Sequence, residues 1–231
     1  MQKAERFQRI LAQLRSDKRV DVAQLSRELG VSVDTVRRDL VELERRGHLV
    51  KVHGGAISRT LLPTDLEDRL VYQREAKAEL AQRALPLIEP GQTILMDGGS
   101  TNLELARLLP AYPELTLFTN SLPLAELLAR HPTVQLQFLG GTLHKPARTT
   151  VGVAVTEAVR RIRADLYFMG VAAVHAQYGL TVPHLAEAEV KRAMHRSAER
   201  TVSLILKDKV EAVETYHVAD VGDLAVVIYE E

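Results

Sequence analysis

The sequence predicts an α/β domain, a mostly parallel sheet flanked by helices, that follows an N-terminal winged helix-turn-helix domain. Two observations lead to this fold class. Beyond residue 90, short apolar runs alternate with helical stretches, which is typical of parallel sheets covered by helices. Before residue 60, a series of helical patterns precedes a short glycine-containing hairpin. The predicted boundaries are 1–59 for the winged helix-turn-helix domain, 60–73 for a linker and 74–231 for the α/β domain.

The N-terminal domain begins with a helix predicted over Ala4–Leu14, where apolar residues recur at helical spacing. Asp21 can cap a second helix, which ends at Gly30. Ser32 can cap a third helix, because its hydroxyl can accept a hydrogen bond from the first turn. Four apolar residues are predicted to form the buried face of this third helix: Val33, Val36, Leu40 and Leu43. A two-stranded wing is predicted next, from the segments Leu49–Val52, Gly54–Gly55 and Ala56–Ser58.

The α/β domain is predicted from the alternation of its segments. Residues 60–73 have weak periodicity and are predicted to form a linker or docking arm, followed by a helix over Arg74–Ile88. The predicted strands are Thr93–Met96, Leu115–Thr119, Val134–Leu139, Leu166–Val171, Val202–Leu206 and Leu224–Tyr229. The predicted helices are Asn102–Leu109, Leu122–Arg130, Val153–Ile162 and Ala186–Arg200.

Charge and composition limit the function. Residues 1–59 hold 13 Lys and Arg and 8 Asp and Glu, a net charge of +5, whereas residues 60–231 hold 17 and 22, a net charge of −5. This asymmetry favours an anionic partner for the N-terminal domain, with chance patterning as the alternative. The absence of cysteine excludes disulfides and cysteine-bound metals. We see no signal peptide and no membrane-spanning apolar run, so we expect a cytoplasmic protein without a membrane partner.

The predicted third helix carries Arg37 and Arg38 near its start, directly after a tight turn. Such a helix can enter the major groove of double-stranded DNA, where the arginine fork binds guanine. An arginine pair that only faces solvent is the alternative, but the cap, the turn, the wing and the local charge together favour DNA. The predicted DNA-binding residues are Ser32, Asp34, Thr35, Arg37, Arg38, Lys51 and His53. One small head contacts few base pairs, so we expect a homodimer or homotetramer that reads paired half-sites.

Polar and glycine-rich segments follow three predicted strands of the larger domain. Because consecutive parallel strands end at the same edge of a sheet, these loops can converge on a ligand. Glycines, hydroxyls and a helix N-terminus suit an anion such as phosphate, although a plain strand-to-helix turn is the alternative for each loop. The predicted effector-binding residues are Asp97, Gly98, Gly99, Ser100, Thr101, Asn102, Thr119, Asn120, Ser121, Gly140, Gly141 and Lys191. The histidines show no metal-ligand spacing, so neither a metal site nor a cofactor is expected.

Ordered motifs along nearly the whole chain resemble the DeoR family of bacterial transcriptional regulators. In the N-terminal domain these are V-S-x-x-T-V-R-R-D-L from Val31, L-E-x-x-G-x-L from Leu43 and H-G-G-A from His53. In the larger domain they are DGGST, TNS, GGT, D-L-x-F-x-G, Y-G-L-T and E-A-x-V-K. The resemblance implies a fold similar to ribose-5-phosphate isomerase-like proteins. It also implies a repressor of sugar or nucleoside catabolism genes that a phosphorylated sugar or related metabolite releases from DNA.

Catalysis is the second hypothesis, because the resemblance includes an isomerase fold. Asp97, Glu187 and Glu189 are available as bases for a sugar-phosphate isomerase-like enzyme with an appended DNA-binding head. The loop GGTLHKPARTT after the third predicted strand contains no carboxylate. An isomerase fold alone does not make the protein an enzyme. Because this loop lacks a carboxylate, we expect a protein without enzymatic activity.

Overall fold

The structure is a computed structural model that describes residues 1–60, 62–112 and 114–231. The N-terminal unit, here called the head, contains three helices and three short strands. Its elements are α1 (Lys3–Asp17), β1 (Arg19–Asp21), α2 (Val22–Leu29), α3 (Val33–Arg45), β2 (Leu49–Val52) and β3 (Gly55–Ser58). The strands pair in the order β1-β3-β2 and close the helices from one side.

Side-chain caps begin two of these helices as predicted. The Asp21 carboxylate accepts hydrogen bonds from the backbone N–H of Ala23 at 2.8 Å and of Gln24 at 3.0 Å. Ser32 Oγ accepts from the backbone N–H of Thr35 at 3.2 Å. These contacts satisfy N–H groups that have no partner inside the helix, so the turn between α2 and α3 is sharply defined.

The buried face of α3 differs from the predicted one. Val33 is 36% exposed, whereas Asp39 is 3% exposed. The Asp39 carboxylate accepts from Arg6 Nε at 2.6 Å and from Arg6 Nη2 at 3.0 Å, which joins α1 to α3. Hydrophobic periodicity overlooks a buried acid whose charge is matched by a basic partner. Strand β1 was also not predicted, because three residues are too few to show a period.

The larger unit, here called the body, is an α/β domain, and the predicted fold class is confirmed. Its helices are α4 (Leu66–Val71), α5 (Arg74–Ala84), α6 (Ser100–Arg107), α7 (Leu122–Leu128), α8 (Val153–Val159) and α9 (Leu185–Ser197). Its strands are β4 (Thr93–Met96), β5 (Thr116–Thr119), β6 (Gln135–Phe138), β7 (Thr142–His144), β8 (Thr149–Val151), β9 (Ala164–Phe168), β10 (Ala173–His175), β11 (Gly179–Val182), β12 (Ala198–Ile205), β13 (Tyr216–Ala219) and β14 (Val226–Tyr229).

Six strands form the central parallel sheet in the order β14-β12-β9-β4-β5-β6. Alternate residues of β4 enter different hydrophobic clusters: Ile94 and Met96 pack on one face of the sheet, and Leu95 packs on the other. Both faces are therefore buried, which explains the continuous apolar runs in the sequence. Because the strands are parallel, the loops after β4, β9 and β12 open at one edge.

The antiparallel parts of the body were not predicted. Strands β10, β11 and β13 form one small sheet, and β7 pairs with β8 in a hairpin. These strands have three or four residues each, too few to give a clear alternation. The end of α9 was also misplaced, since Ala198–Arg200 belongs to β12 rather than to the predicted helix.

The predicted linker, residues 60–73, contains α4, which lies against the body. The backbone N–H of Leu66 donates to the carbonyl of Pro146 in the β7–β8 hairpin at 3.0 Å. Leu61 belongs to the predicted linker but lies outside the described residues. Within the described ranges, we find no helix with the length and apolar character needed to span a bilayer.

We expect Gly55→Ala to destabilise the head. A Cβ atom at this position would lie inside van der Waals distance of the Val20 carbonyl oxygen across the β1–β3 pair. Overpacking of this kind costs about 1–3 kcal/mol in the free energy of unfolding. Urea unfolding followed by circular dichroism measures the loss. Gly222→Ala is the matched control, because a Cβ there meets nothing within 4 Å. Equal stability of the two variants would contradict the close approach.

Candidate functional site

The exposed side of α3 carries a stripe of basic side chains. Arg37, Arg38 and Arg45 line a shallow surface depression together with Val41 and Glu42. Arg37 Nη1 lies 3.5 Å from Asp34 Oδ1, with the two side chains 66% and 72% exposed. A contact this exposed contributes little stability, so Arg37 can exchange Asp34 for another anion. Among the described residues, neither Arg38 nor Arg45 forms a salt bridge.

The other predicted DNA-binding residues lie at the start of α3 and on the wing. Ser32 Oγ and Thr35 Oγ1 are 2.9 Å apart, so the two hydroxyls share a hydrogen bond while Ser32 caps the helix. Lys51 and His53 are exposed on the wing. The backbone N–H of Lys51 donates to Glu44 Oε1 at 2.8 Å, which joins the wing to α3 and leaves the ammonium group free to turn outward. Val41 and Arg45 were not among the predicted DNA-binding residues. They lie on the same surface of α3, one and two helical turns beyond Arg37 and Arg38.

A second feature is a cavity of about 470 Å³ in the body, at the carboxyl edge of the parallel sheet. It is bounded by the loops after β4 and β9, by α4 and α9, and by the β7–β8 hairpin. Besides Arg59 at its rim, four basic side chains line it: Arg69, Lys77, Lys191 and Lys209. We call this the basic cavity. Of the predicted effector-binding residues, it brings together Gly98, Gly99, Ser100, Thr101, Asn102 and Lys191, with Asp97 directly behind them.

Asp97 is 1% exposed and compensates one of the four basic groups. Its Oδ2 accepts from Lys191 Nζ at 2.6 Å and from the Tyr167 hydroxyl. Its Oδ1 accepts from the Gly170 N–H at 2.7 Å and from Asn102 Nδ2 at 3.1 Å. Burial raises the pKa of the Asp97 carboxyl, while Lys191 and the other donors oppose that shift. All four partners donate, so they favour the ionised carboxylate, and its acceptor positions are filled.

The other three basic groups have no carboxylate partner among the described residues. Lys77 is 2% exposed and donates only to the carbonyls of Arg69 and Tyr72, and burial lowers its pKa to about 8. Lys209 Nζ donates to the Val171 carbonyl at 2.8 Å. Burial, together with the nearby charges of Arg69, Lys77 and Lys191, lowers the pKa of Lys209 to about 7.

Arg69 is the third basic group without an ion pair. Its Nε is buried and has no hydrogen-bond partner among the described residues. Burial lowers the pKa of the guanidinium, and the nearby charges of Glu187 and Asp65 oppose that shift. A buried donor left unsatisfied is costly, and so is a buried positive charge. Asp65, Glu187 and Glu214 also line the cavity, but in the described ranges none of them forms an ion pair with Arg69, Lys77 or Lys209, so these three basic groups are available to an anion.

Backbone donors lie beside the basic side chains. Helix α6 begins at Ser100 without a side-chain cap, so the N–H groups of its first turn are available to a ligand. Gly170 allows the loop after β9 to pass close to this turn, since a Cβ there would lie 2.7 Å from the Gly98 carbonyl oxygen. The two loops thus bring amides, the Asp97 carboxylate and basic groups into one small volume.

Five predicted effector-binding residues do not line the basic cavity: Thr119, Asn120, Ser121, Gly140 and Gly141. The β7–β8 hairpin packs over them. Asn120 Nδ2 donates to the Thr150 carbonyl at 2.7 Å, and Ser121 pairs with Thr149 as an isolated bridge. A Cβ on Gly141 would lie 2.7 Å from Val155 Cγ2, so this glycine also serves packing.

Three basic residues of the cavity were not among the predicted effector-binding residues: Arg69, Lys77 and Lys209. Arg69 lies in the weakly periodic segment 60–73, where no pattern marks it as buried. Lys77 gave a usable signal, because it is a charged residue on the otherwise apolar face of α5 that also carries Leu80, Ala81 and Ala84. The expectation that there is no metal site stays a prediction, but the argument from histidine spacing overlooked one group of residues. His184 and Glu187 lie one helical turn apart, and the hairpin brings His144 beside them.

The basic cavity extends to the segment that leaves the head. Arg59 and Thr60 line its rim together with Glu214, which is 5% exposed. Arg59 Nη1 lies 3.3 Å from Glu214 Oε2, and the Thr60 N–H donates to Glu214 Oε1 at 3.3 Å. Burial raises the pKa of Glu214, and Arg59 opposes that shift. A ligand in the cavity would therefore lie close to the chain that connects the two units.

Comparison with known proteins places the chain in a family. The DeoR-like helix-turn-helix domain matches residues 6–60, and the DeoR C-terminal sensor domain matches residues 72–231. The HTH-type transcriptional regulator GolR of Listeria innocua is 32% identical over 229 residues, which span 97% of this chain and 89% of that protein. The HTH-type transcriptional repressor GlcR of Bacillus subtilis is 30% identical over 230 residues, which span 99% of this chain and 88% of that protein.

Among solved structures, a D-ribose-5-phosphate isomerase in complex with phospho-erythronic acid aligns with a TM-score of 0.45 and 17% identity. The alignment covers 59% of this chain and 54% of the isomerase. The two domain matches together cover nearly the whole sequence and agree with the exposed basic helix of the head. The chain belongs to the DeoR family of DNA-binding transcriptional regulators.

Proposed function

We propose that the protein represses genes of sugar or nucleoside metabolism and leaves its operator when a small phosphorylated metabolite fills the basic cavity. One observation carries the proposal: Arg69, Lys77 and Lys209 line a single cavity, and none has a carboxylate partner in the described ranges. Three desolvated basic groups in one place are costly without an anion.

A phosphate monoester matches this cavity in charge and size. It carries nearly two negative charges at neutral pH and accepts several hydrogen bonds, so it can engage lysine, arginine and the free N–H groups of α6 together. Ser100 and Thr101 add hydroxyls that suit the sugar part of the ligand. A volume of about 470 Å³ falls within the usual range for small-molecule sites.

The route from cavity to head is the segment from Arg59 to Arg69. Arg59 and Thr60 are bound to Glu214 on the cavity wall, and Arg69 faces the interior. An anion that draws Arg69 inward shifts the segment that holds the head. The ligand must bind one arrangement of the heads better than another, because equal affinity would shift nothing. In a dimer or tetramer, such a shift would change the distance between the paired heads, so that they no longer match the spacing of the operator half-sites.

Isomerase activity is the alternative, and Asp97, the first of its three candidate bases, is poorly suited to it. Asp97 is the carboxylate nearest the α6 turn, and four donors already occupy its oxygens. A base needs a free lone pair within reach of the substrate proton. Turnover of any pentose or hexose phosphate by the purified protein, at a rate that Asp97→Asn abolishes, would favour the enzyme.

We expect Arg38→Ala to weaken specific operator binding by about 1–3 kcal/mol and to relax selectivity at one base pair, because a base-reading arginine is lost. Mobility-shift titrations on operator and scrambled DNA, at fixed salt, measure both effects. Arg15→Ala, an exposed change on α1 away from the stripe, is the control. An unchanged operator affinity for Arg38→Ala would remove this residue from the interface.

Lys51→Ala should behave differently from Arg38→Ala. A phosphate contact carries no sequence information, so affinity should fall by a similar factor on operator and scrambled DNA. The slope of log affinity against log salt should become shallower by about one unit. A loss confined to the operator, with an unchanged salt slope, would mean that Lys51 reads bases instead.

Lys209→Met should weaken binding of the best ligand in a panel of sugar phosphates by about 10- to 100-fold, the usual effect of losing a charged hydrogen bond. Calorimetry measures this affinity, and operator affinity without ligand should not change. Lys207→Met is the matched control, because Lys207 is exposed in the same turn and does not line the cavity. Equal ligand affinity of the two variants would exclude Lys209 from the site.

Ligand affinity should fall as pH rises from about 7 to 9. The pKa of Lys209 is lowered to about 7 by burial, so the free lysine is largely neutral at pH 8. A bound phosphate favours the charged form and raises that pKa, so binding takes up a proton. Calorimetry at pH 8 in two buffers with different ionisation enthalpies counts the proton. Proton uptake should be smaller in Lys209→Met but need not vanish, because Lys77, with a pKa of about 8, can also take up a proton. Proton release, or an equal uptake in Lys209→Met and the unmodified protein, would contradict the role of Lys209.

A further inference from the structure

We propose that His144, His184 and Glu187 form a binding site for one divalent transition-metal ion at the mouth of the basic cavity. The proposal does not depend on the sugar-phosphate ligand. It depends on a group of side chains that no step of the DNA-binding or sensing function described above employs.

Two separate elements bring the three side chains together. His184 immediately precedes α9 and Glu187 lies in its first turn, so a spacing of three residues places both on one turn of the helix. His144 ends β7 and reaches the pair from the hairpin. One ligand atom from each residue lies within 4.8 Å of the other two, and His144 Nε2 is 3.8 Å from Glu187 Oε2.

The distance between His144 Nε2 and Glu187 Oε2 is close to that in an occupied site. Zinc binds imidazole nitrogen and carboxylate oxygen at about 2.0–2.2 Å, so ligand atoms around a tetrahedral ion lie roughly 3.4 Å apart. The His144–Glu187 pair needs to close by only a few tenths of an ångström. His144 and Glu187 are partly buried and His184 is exposed, so small side-chain rotations are available.

The ligand atoms are not used for other contacts. In the described ranges, none of the three side chains forms a hydrogen bond with the protein, and the ionic contact of Glu187 is to His144. The two imidazole rings lie 4.5 Å apart, tilted by 59°. An ion pair between His144 and Glu187 would account for the positions of these two side chains only. A bound metal ion also accounts for the position of His184 beside them.

The surrounding charges are mixed. Arg69 lies near Glu187, and the N-terminus of α9 carries partial positive charge, so both disfavour a cation. Glu187 itself and the buried Glu214, which lies near His184, oppose this effect. Two imidazoles and one carboxylate select Zn²⁺, Co²⁺ or Ni²⁺ over Mg²⁺ and Ca²⁺, which prefer oxygen ligands.

Three protein ligands leave a coordination position open, as in zinc sites that bind a further molecule. All three residues line the basic cavity, so a molecule in the cavity can reach an ion held there. The ion would also tie the β7–β8 hairpin to α9 across the cavity mouth. If the proposed function holds, an oxygen of the metabolite can take the open position, and metal and metabolite then bind cooperatively.

The test is a titration of the chelator-treated full-length protein with Zn²⁺ and Co²⁺, without any sugar phosphate. We expect one ion per chain by calorimetry, and visible absorption bands of Co²⁺ in a site with nitrogen ligands. His144→Ala, His184→Ala and Glu187→Gln should each weaken binding at least tenfold, with unchanged metal-free thermal unfolding as the check on folding.

His217→Ala is the matched control, because His217 and Asp220 form another histidine–carboxylate pair, 3.0 Å apart and exposed, without a third ligand. Its metal affinity should equal that of the unmodified protein. No stoichiometric binding, or equal binding by the three site variants and the control, would overturn the metal site. Because no sugar phosphate is present, this result is separate from a failure of the proposed function, which would appear as loss of phosphate binding with metal binding intact.

Discussion

The body is organised around a cluster of basic side chains in one cavity, three of which form no ion pair with a carboxylate in the described ranges. Arg69, Lys77, Lys191 and Lys209 line one cavity, and Asp97 compensates Lys191 alone. A protein that only needed a stable core would replace such groups with apolar ones, because a desolvated charge without a partner is costly. The lowered pKa values of Lys77 and Lys209 are the direct consequence of this arrangement. An anionic ligand would remove this cost, and this is the physical basis of the sensing function that we propose.

The parallel sheet makes this arrangement possible. Because β4 and β9 are neighbours, the loops that follow them place Asp97 and Gly170 in hydrogen-bond contact. Helix α9 delivers Lys191 to the same point, and the short turn after β12 delivers Lys209. Helix α4 and the chain leaving the head close the cavity with Arg69 and Arg59. The proposed ligand site and the connection to the DNA-binding unit are thus parts of one wall.

Much of this could be predicted from local sequence patterns, and the rest depends on contacts distant in the chain. Caps at Asp21 and Ser32, the basic start of α3 and the Gly98–Asn102 loop each follow from residue type and spacing. The buried Asp39 depends on Arg6, which is 33 residues away, and no periodicity reveals such a pair. The loops after three predicted strands were expected to converge on one ligand at the sheet edge. The short β7–β8 hairpin instead packs against Asn120 and Gly141, so these residues do not line the cavity. The same hairpin carries His144 to His184 and Glu187, so the three residues meet only through the fold.

We propose that binding of a metabolite in the basic cavity is coupled to binding of the operator by the head. The most direct measurement is the dissociation constant of the tightest-binding sugar phosphate, determined for the free protein and again for the operator-bound protein. Binding free energies are reciprocal, so the ratio of these constants must equal the ratio of operator affinities measured without and with the sugar phosphate. We expect both ratios to agree and the operator-bound protein to bind the metabolite more weakly. The same dissociation constant in both states would mean that the basic cavity does not control the DNA-binding head.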